Sequence, residues 1–196
     1  MNGPAHALAG AIAGGGLAYL LKAPPAHVAA DGLLCSGWAL VPDSDMNTTT
    51  IAKSAGPVTK IAATIIGVLS GGHRHATHTV LAAAVCSALS VLAVIHQTGH
   101  AGKWIMIGVL TILCSAAYRA LKLTPSRFLC FCLGAATAVV LVAAGYYTRD
   151  LWWLAGLGIL THLILDRHLV LLPSGNPHHG HRHSHNRKRN RTRRRR

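Results

Sequence analysis

The chain has 196 residues, half of them apolar, a formal charge of +14 and a mean hydropathy of +0.38. Charged residues make up only 12%, about half the share of an average soluble domain; this composition excludes an ordinary soluble enzyme surface and any acidic binding module. The five acidic residues are all Asp (Asp31, Asp43, Asp45, Asp150 and Asp166), and nine of the nineteen Lys and Arg lie after Gly180.

In chain order, an apolar segment from about Ala5 to Leu21 carries "GGG" at 14–16 and is broken by "KAPP". Small residues of this kind let helices approach closely in lipid. The segment lacks a basic flank before it, so it reads as a retained first span rather than a signal peptide. A second, shorter segment, about Val28 to Leu40, ends in the polar turn "VPDSDMNTTT". A third, "PVTKIAATIIGVLSGG", carries a Lys and reads as interfacial or re-entrant. Three full spans follow at about Thr77–Ile95, Trp104–Leu121 and Phe128–Tyr147. A last one runs from about Leu151 to Leu165, with Trp152 and Trp153 as interface anchors. From Pro173 the residues are polar and densely basic, without apolar periodicity, which predicts a disordered tail. The expected architecture is all-α: a polytopic transmembrane bundle of about six spans plus the short interfacial segment over 1–172, and a His/Arg-rich tail over 173–196. The cysteines (35, 86, 114, 130 and 132) form no C-x-x-C pair and read as small buried hydrophobes.

Four polar patches interrupt the apolar pattern. "THLILD" spaces His162 and Asp166 four apart, so on a helix they share a face and form a two-ligand arm for zinc or a similar ion; the alternative is a helix-end hydrogen bond between them. Asp43 and Asp45 lie two apart in a turn, where a shared cation would relieve their repulsion and where turn and capping chemistry is the competing explanation. "HRHATH" offers His73 and His78 as ligands and Arg74 for a phosphate or carboxylate, with His75 as a bystander; Thr77 reads as a cap for the next helix. His6 heads the first segment. If the third segment does not cross the membrane, all four patches fall on one side, which also collects most of the Lys and Arg and is therefore cytoplasmic. No G-x-S-x-G, P-loop or H-E-x-x-H is present, and with no Glu a general base must be an Asp, a His or a metal-activated water. "HHGHRHSH" in the tail can chelate metals loosely, and "RKRNRTRRRR" can meet anionic lipid headgroups or nucleic acid.

The order "GPAHALAGAIAGG", "LVPDSD", "HRHATHT" and "THLILD" resembles the YdjM-like family of predicted membrane-bound, metal-dependent hydrolases, described also as LexA-binding and inner-membrane-associated. The resemblance covers about residues 3–170 and departs from the family pattern at His75, at Thr79 and after Asp166, where "RHLVLLPSG" follows. It implies His6, Asp43, Asp45, His73, His78, His162 and Asp166 as metal-site residues, with Arg74 beside them. It also implies one or two divalent ions (zinc, with manganese or magnesium as alternatives), a bacterial inner-membrane location and a LexA-type regulator as partner. The expected activity is hydrolysis of an ester or phosphoester, lipid-linked in the first instance, at the cytoplasmic face. Asp45, Arg74 and His78 would carry the chemistry. Two other readings compete with it. One is a non-enzymatic scaffold with a structural metal and a recruiting tail. The other is metal transport, which the lack of ionisable residues in the middle spans disfavours.

Overall fold

The computed structural model describes residues 3–71, 76–96 and 100–166, and every regular element among them is helical. Seven α-helices run in order: α1 (Gly3–Leu20), α2 (Pro25–Trp38), α3 (Pro57–Leu69), α4 (Val80–His96), α5 (His100–Ala120), α6 (Arg127–Ala143) and α7 (Tyr147–Leu165). Short 3₁₀ turns at Pro42–Asp45 and Ile51–Lys53 connect α2 to α3, and a third at Ala76–His78 precedes α4. The predicted tail, with His73, Arg74 and His75 of the "HRHATH" stretch, lies outside the described residues.

The helix boundaries follow local chemistry. Pro25 and Pro57 occupy first-turn positions, where a missing N–H costs nothing. Ser126 caps α6 by accepting from the Leu129 amide at 3.3 Å. At α4 the cap is Thr79, whose hydroxyl accepts from the Ala82 amide at 3.1 Å. Thr77, the residue expected to cap it, is engaged elsewhere.

α1 and α2 form a tight antiparallel hairpin. Gly10 and Gly14, one helical turn apart, face Cys35 and Asp31 so closely that side chains would collide with α2 backbone. α2 is central, packing on α1, α5 and α7, while α4 lies on α7 and α6 on α5. The core gathers Leu34, Cys35 and Trp38 of α2 with Leu110 and Leu113 of α5 and Leu154, Ile159 and Leu163 of α7. At the end away from the polar patches, the Tyr146 hydroxyl shares its hydrogen between Asp31 Oδ1, at 2.8 Å, and the His27 carbonyl, at 3.0 Å.

The outer surface is strongly apolar: Ile12, Leu20, Val68, Leu69, Phe128 and Val140 are all exposed. Length is the more demanding criterion for spanning. Among the described residues only Ala101–Ala120 within α5 is both long and apolar enough to cross a bilayer. α4 and α6 have 17 residues each, about 25 Å of helix against a hydrocarbon core of about 30 Å. The all-helical expectation holds, and by length and apolarity together one span is supported among the described residues. α3 is short and amphipathic, with Val58, Ile61 and Ile65 outward. It reaches the rest of the chain mainly through the two preceding 3₁₀ turns.

Candidate metal centre

Five of the polar residues singled out in sequence meet at one end of the bundle. His6 comes from the first turns of α1, Asp43 from the 3₁₀ turn after α2, His78 from the turn before α4, and His162 and Asp166 from the last turn and C-cap of α7. His6, His78 and His162 are each no more than 2% exposed. His162 Nε2 lies 3.3 Å from His78 Nε2, 3.7 Å from Asp43 Oδ1 and 3.5 Å from Asp166 Oδ2. His78 Nε2 lies 3.7 Å from Asp43 Oδ1 and 4.0 Å from Asp166 Oδ2. Donors about 2.0–2.1 Å from a tetrahedral zinc stand about 3.3–3.4 Å apart, so these spacings are slightly loose edges of a ligand cage. Two triads have mutually close donor atoms, Asp43–His78–His162 and His6–His162–Asp166.

The hydrogen bonds behind the histidines set their tautomers. His162 Nδ1 lies 2.7 Å from the Ala39 carbonyl, which can only accept, so Nδ1 carries the proton and Nε2 keeps its lone pair. Thr77 gives its one hydroxyl hydrogen to Asp45 Oδ2 at 2.9 Å and lies 3.1 Å from His78 Nδ1. The Thr77 oxygen then accepts from His78 Nδ1–H, so in the neutral ring the lone pair is on Nε2. Two ring nitrogens turned toward each other at 3.3 Å are held by a shared proton or by a metal cation between them. Such backing of an imidazole by a carbonyl or carboxylate is the usual support for a metal ligand.

Two unpaired atoms add to the fit. Asp166 Oδ1 and His6 Nδ1 are buried without a hydrogen-bond partner, although His6 Nε2 approaches Asp166 Oδ1 to 3.3 Å. The two groups are close yet not oriented to bond each other, as expected of groups aimed at a third. The His6 ring also stacks on His162, centroids 3.9 Å apart. Burial by itself would raise the Asp43 carboxyl pKa; a hydrogen bond from His78 and the positive charge of His162, His78 and His6 when protonated outweigh it and hold the group below its ordinary value. Asp43 thus remains an anion in a largely buried place.

Asp45 is placed differently from the expectation that it would share an ion with Asp43. It sits on the far side of the His78 ring, with Oδ2 3.8 Å from Nδ1 and its side chain fully buried. The reason is the 3₁₀ turn: at three residues per turn, positions two apart diverge by about 120° around the axis. α3 closes over the turn from behind, Gly67 lying so near the Asp45 carbonyl that any side chain would clash. Asp45 and Thr77 therefore orient His78. His73 and Arg74 lie outside the described residues. Thr77 and the Ala39 carbonyl were missed in sequence as parts of the site; Thr77 sits in the quoted motif, but the carbonyl has no sequence signal.

Replacing Thr77 by valine keeps its shape and removes the bridge. Apparent zinc affinity, read by chelator competition on the purified protein, is expected to fall about 10- to 100-fold with helicity unchanged.

A cavity of about 320 Å³ opens beside the cluster, lined by His6, Asp43 and Asp166 on one wall and by Met46, Thr48, Thr49 and Thr50 on the other. The Thr49 hydroxyl is committed to the Asp43 and Met46 carbonyls at 2.9 and 2.8 Å, which braces the turn carrying Asp43.

No curated protein matches the chain, and no solved structure does. The "THLILD" arm lies beyond the region recognised by the matching family model, so the fold is what joins it to the earlier motifs. Residues 1–117, more than half of the chain, match the model described as YdjM inner membrane protein, and the chain belongs to that family.

Proposed function

We propose that this protein is a membrane-bound, metal-dependent hydrolase of esters or phosphoesters, working where the metal centre opens into the Thr48–Thr50 cavity. The observation that carries the reading is the pair of imidazoles turned Nε2 to Nε2, each held from behind at Nδ1 and flanked by two carboxylates at the wall of a polar cavity. His78, His162 and Asp166 would hold a divalent ion, with Asp43 or His6 completing its shell; two neutral imidazoles with carboxylates suit zinc. When bound, such an ion supplies Lewis acidity to polarise the scissile group and activate water.

The chain's own residues divide the remaining work. Asp166, 4% exposed at its side chain, is a buried anchor, whereas Asp43 keeps 17% exposure and faces the cavity. As a carboxylate, Asp43 is positioned to take a proton from an incoming water. A ring nitrogen ligates one ion, so His162 serves one triad at a time. A second ion would depend on Asp166 bridging towards His6. Arg74 is assigned to substrate phosphate on its sequence position alone. In this reading the helices form a multi-pass bundle in the inner membrane, with the basic tail on the cytoplasmic side.

The test is turnover by the purified, zinc-loaded protein on a panel of soluble and lipid phosphoesters and esters. Asp166→Ala is expected to abolish hydrolysis, and deletion of residues 178–196 to leave it within about twofold. Hydrolysis that survives both chelation and Asp166→Ala overturns the proposal, as does an absence of hydrolysis on every member of the panel by protein shown to carry its metal.

A further inference from the structure

Away from the metal, one face of α5 is left without a helical neighbour. α4 packs on α7 and α5 on α6, while α4 and α5 barely touch. Between α4 and α5 lies an apolar cavity of about 450 Å³, walled by Leu89, Ser90 and Ala93 of α4 and by Ile105, Met106 and Val109 of α5. A second apolar cavity of about 230 Å³ lies between α5 and α3, between Ile112 and Leu113 on one side and Ala63 and Ile66 on the other. Trp38 and Val109 line both, so the two form one groove along α5. It runs from Gly102 to Leu113, about 16 Å of helix, which is close to half of a bilayer's roughly 30 Å hydrocarbon core.

The upper end of the groove reaches Ser44 and Ile51. Ser44 lies between Asp43 and Asp45 in the turn that builds the metal centre. The floor holds a further signal. Trp38 is 8% exposed, and its indole N–H has no hydrogen-bond partner. That group can only donate. The Ser90 and Thr59 hydroxyls in the same walls donate to the Cys86 and Ala52 carbonyls. The walls thus offer apolar contact throughout and one buried donor awaiting an acceptor.

We propose that this groove binds one acyl chain of a diacyl glycerophospholipid drawn from the surrounding bilayer, with an ester carbonyl in reach of the Trp38 N–H, and that it presents the headgroup end to the metal centre. The inference rests on the proposed hydrolase reading and narrows its substrate class to glycerophospholipids. Its occupant is set by three things: the membrane in which this family resides, a length matching one leaflet, and continuity with the Asp43 turn. The Thr48–Thr50 cavity on the other side of that turn is polar and takes the headgroup.

The test uses full-length protein in nanodiscs of phosphatidylglycerol, a trace of which carries a diazirine midway along one acyl chain. After photolysis, adducts are mapped by peptide mass spectrometry. Adducts are expected to concentrate at least fivefold on Leu89–Ala93 and Ile105–Val109 relative to the equally apolar outer faces of α1 (Leu8, Ile12) and α6 (Val139, Val140). Val109→Trp fills the groove where its two halves join and is expected to remove that excess. Ala93→Leu, at an exposed rim position, does the same with less risk to folding, and metal content reports that both variants are intact. Uniform labelling of all the outer faces overturns the proposal, because the groove then meets only bulk lipid. Absence of groove adducts together with a two-copy mass also overturns it, because a second chain then fills the groove. Labelling is read without turnover, so the excess persists if the protein proves not to be a hydrolase. If it is one, Val109→Trp lowers cleavage of long-chain phospholipid about tenfold and spares a soluble short phosphoester.

Discussion

Alanine at position 162 is expected to abolish tight binding of a divalent ion by the purified protein. His162 is the one residue common to both ligand triads, and its Nε2 is within 3.7 Å of His78, Asp43 and Asp166 donors. Its removal takes away a ligand that the Ala39 carbonyl has already oriented, and it leaves two carboxylates with less cation to share. Loss of an outer-shell partner alone costs about 10- to 100-fold in metal affinity, so loss of the ligand is expected to cost at least about 100-fold. Elemental analysis after exhaustive dialysis, with chelator competition for the remaining affinity, measures it. His27→Ala is the matched control, since that histidine packs edge-on against Tyr146 at the opposite end and should leave the metal content unchanged. His6→Ala resolves the number of ions: with two, the content falls from two to one, and with one, affinity weakens while stoichiometry holds. Occupancy should also decline with acid, because ligand imidazoles must be neutral to bind. Metal content in His162→Ala equal to that of the parent would remove the basis for the site.

Legibility in the sequence tracked how local each determinant is. The His162–Asp166 pair was readable because helical periodicity alone puts residues four apart on one face, and α7 does run through His162 with Asp166 at its cap. Asp43 and His78 were readable as polar breaks in apolar surroundings. The separation of Asp45 from Asp43 was not, because whether "PDSD" opens as a loose turn or winds into a 3₁₀ turn depends on α3 closing against it at Gly67. Thr77 looked like a cap because Thr before an apolar run normally is one; Thr79 took that role and left Thr77 free to bridge Asp45 and His78. The Ala39 carbonyl is available because a helix's last carbonyls lack intrahelical partners, a fact of the backbone that residue identity does not announce. Hydropathy found the long apolar segments but not where their helices end, because turns such as the one at Gly145 set helix length independently of apolarity.

The first helix supplies the second large effect, and it separates neighbours within "GGG". A Cβ on Gly14 would lie 2.4 Å from Cys35 Cβ and 2.5 Å from the Asp31 carbonyl oxygen, whereas one on Gly16 meets nothing within 4 Å. Neither obstacle at Gly14 is the end of a flexible side chain; both move only if α2 moves. In lipid there is little hydrophobic drive to press helices together, so association rests on this kind of close packing. Gly14→Ala is therefore expected to destabilise the protein by about 1–3 kcal/mol, the usual cost of overpacking. Its consequence reaches the metal: His6 sits two turns earlier on α1, and Ala39 lies at the end of α2, so prying the hairpin apart displaces a site residue from the carbonyl that orients its neighbour. Gly16→Ala has no such cost and gains up to about 1 kcal/mol of helix propensity. Thermal unfolding in detergent, scored together with metal content, should show a lowered midpoint and reduced occupancy for Gly14→Ala and parent-like or better values for Gly16→Ala. Indistinguishable variants would mean that α1 does not pack on α2 at Gly14, and the joint placement of His6 with the α7 arm would fall with it.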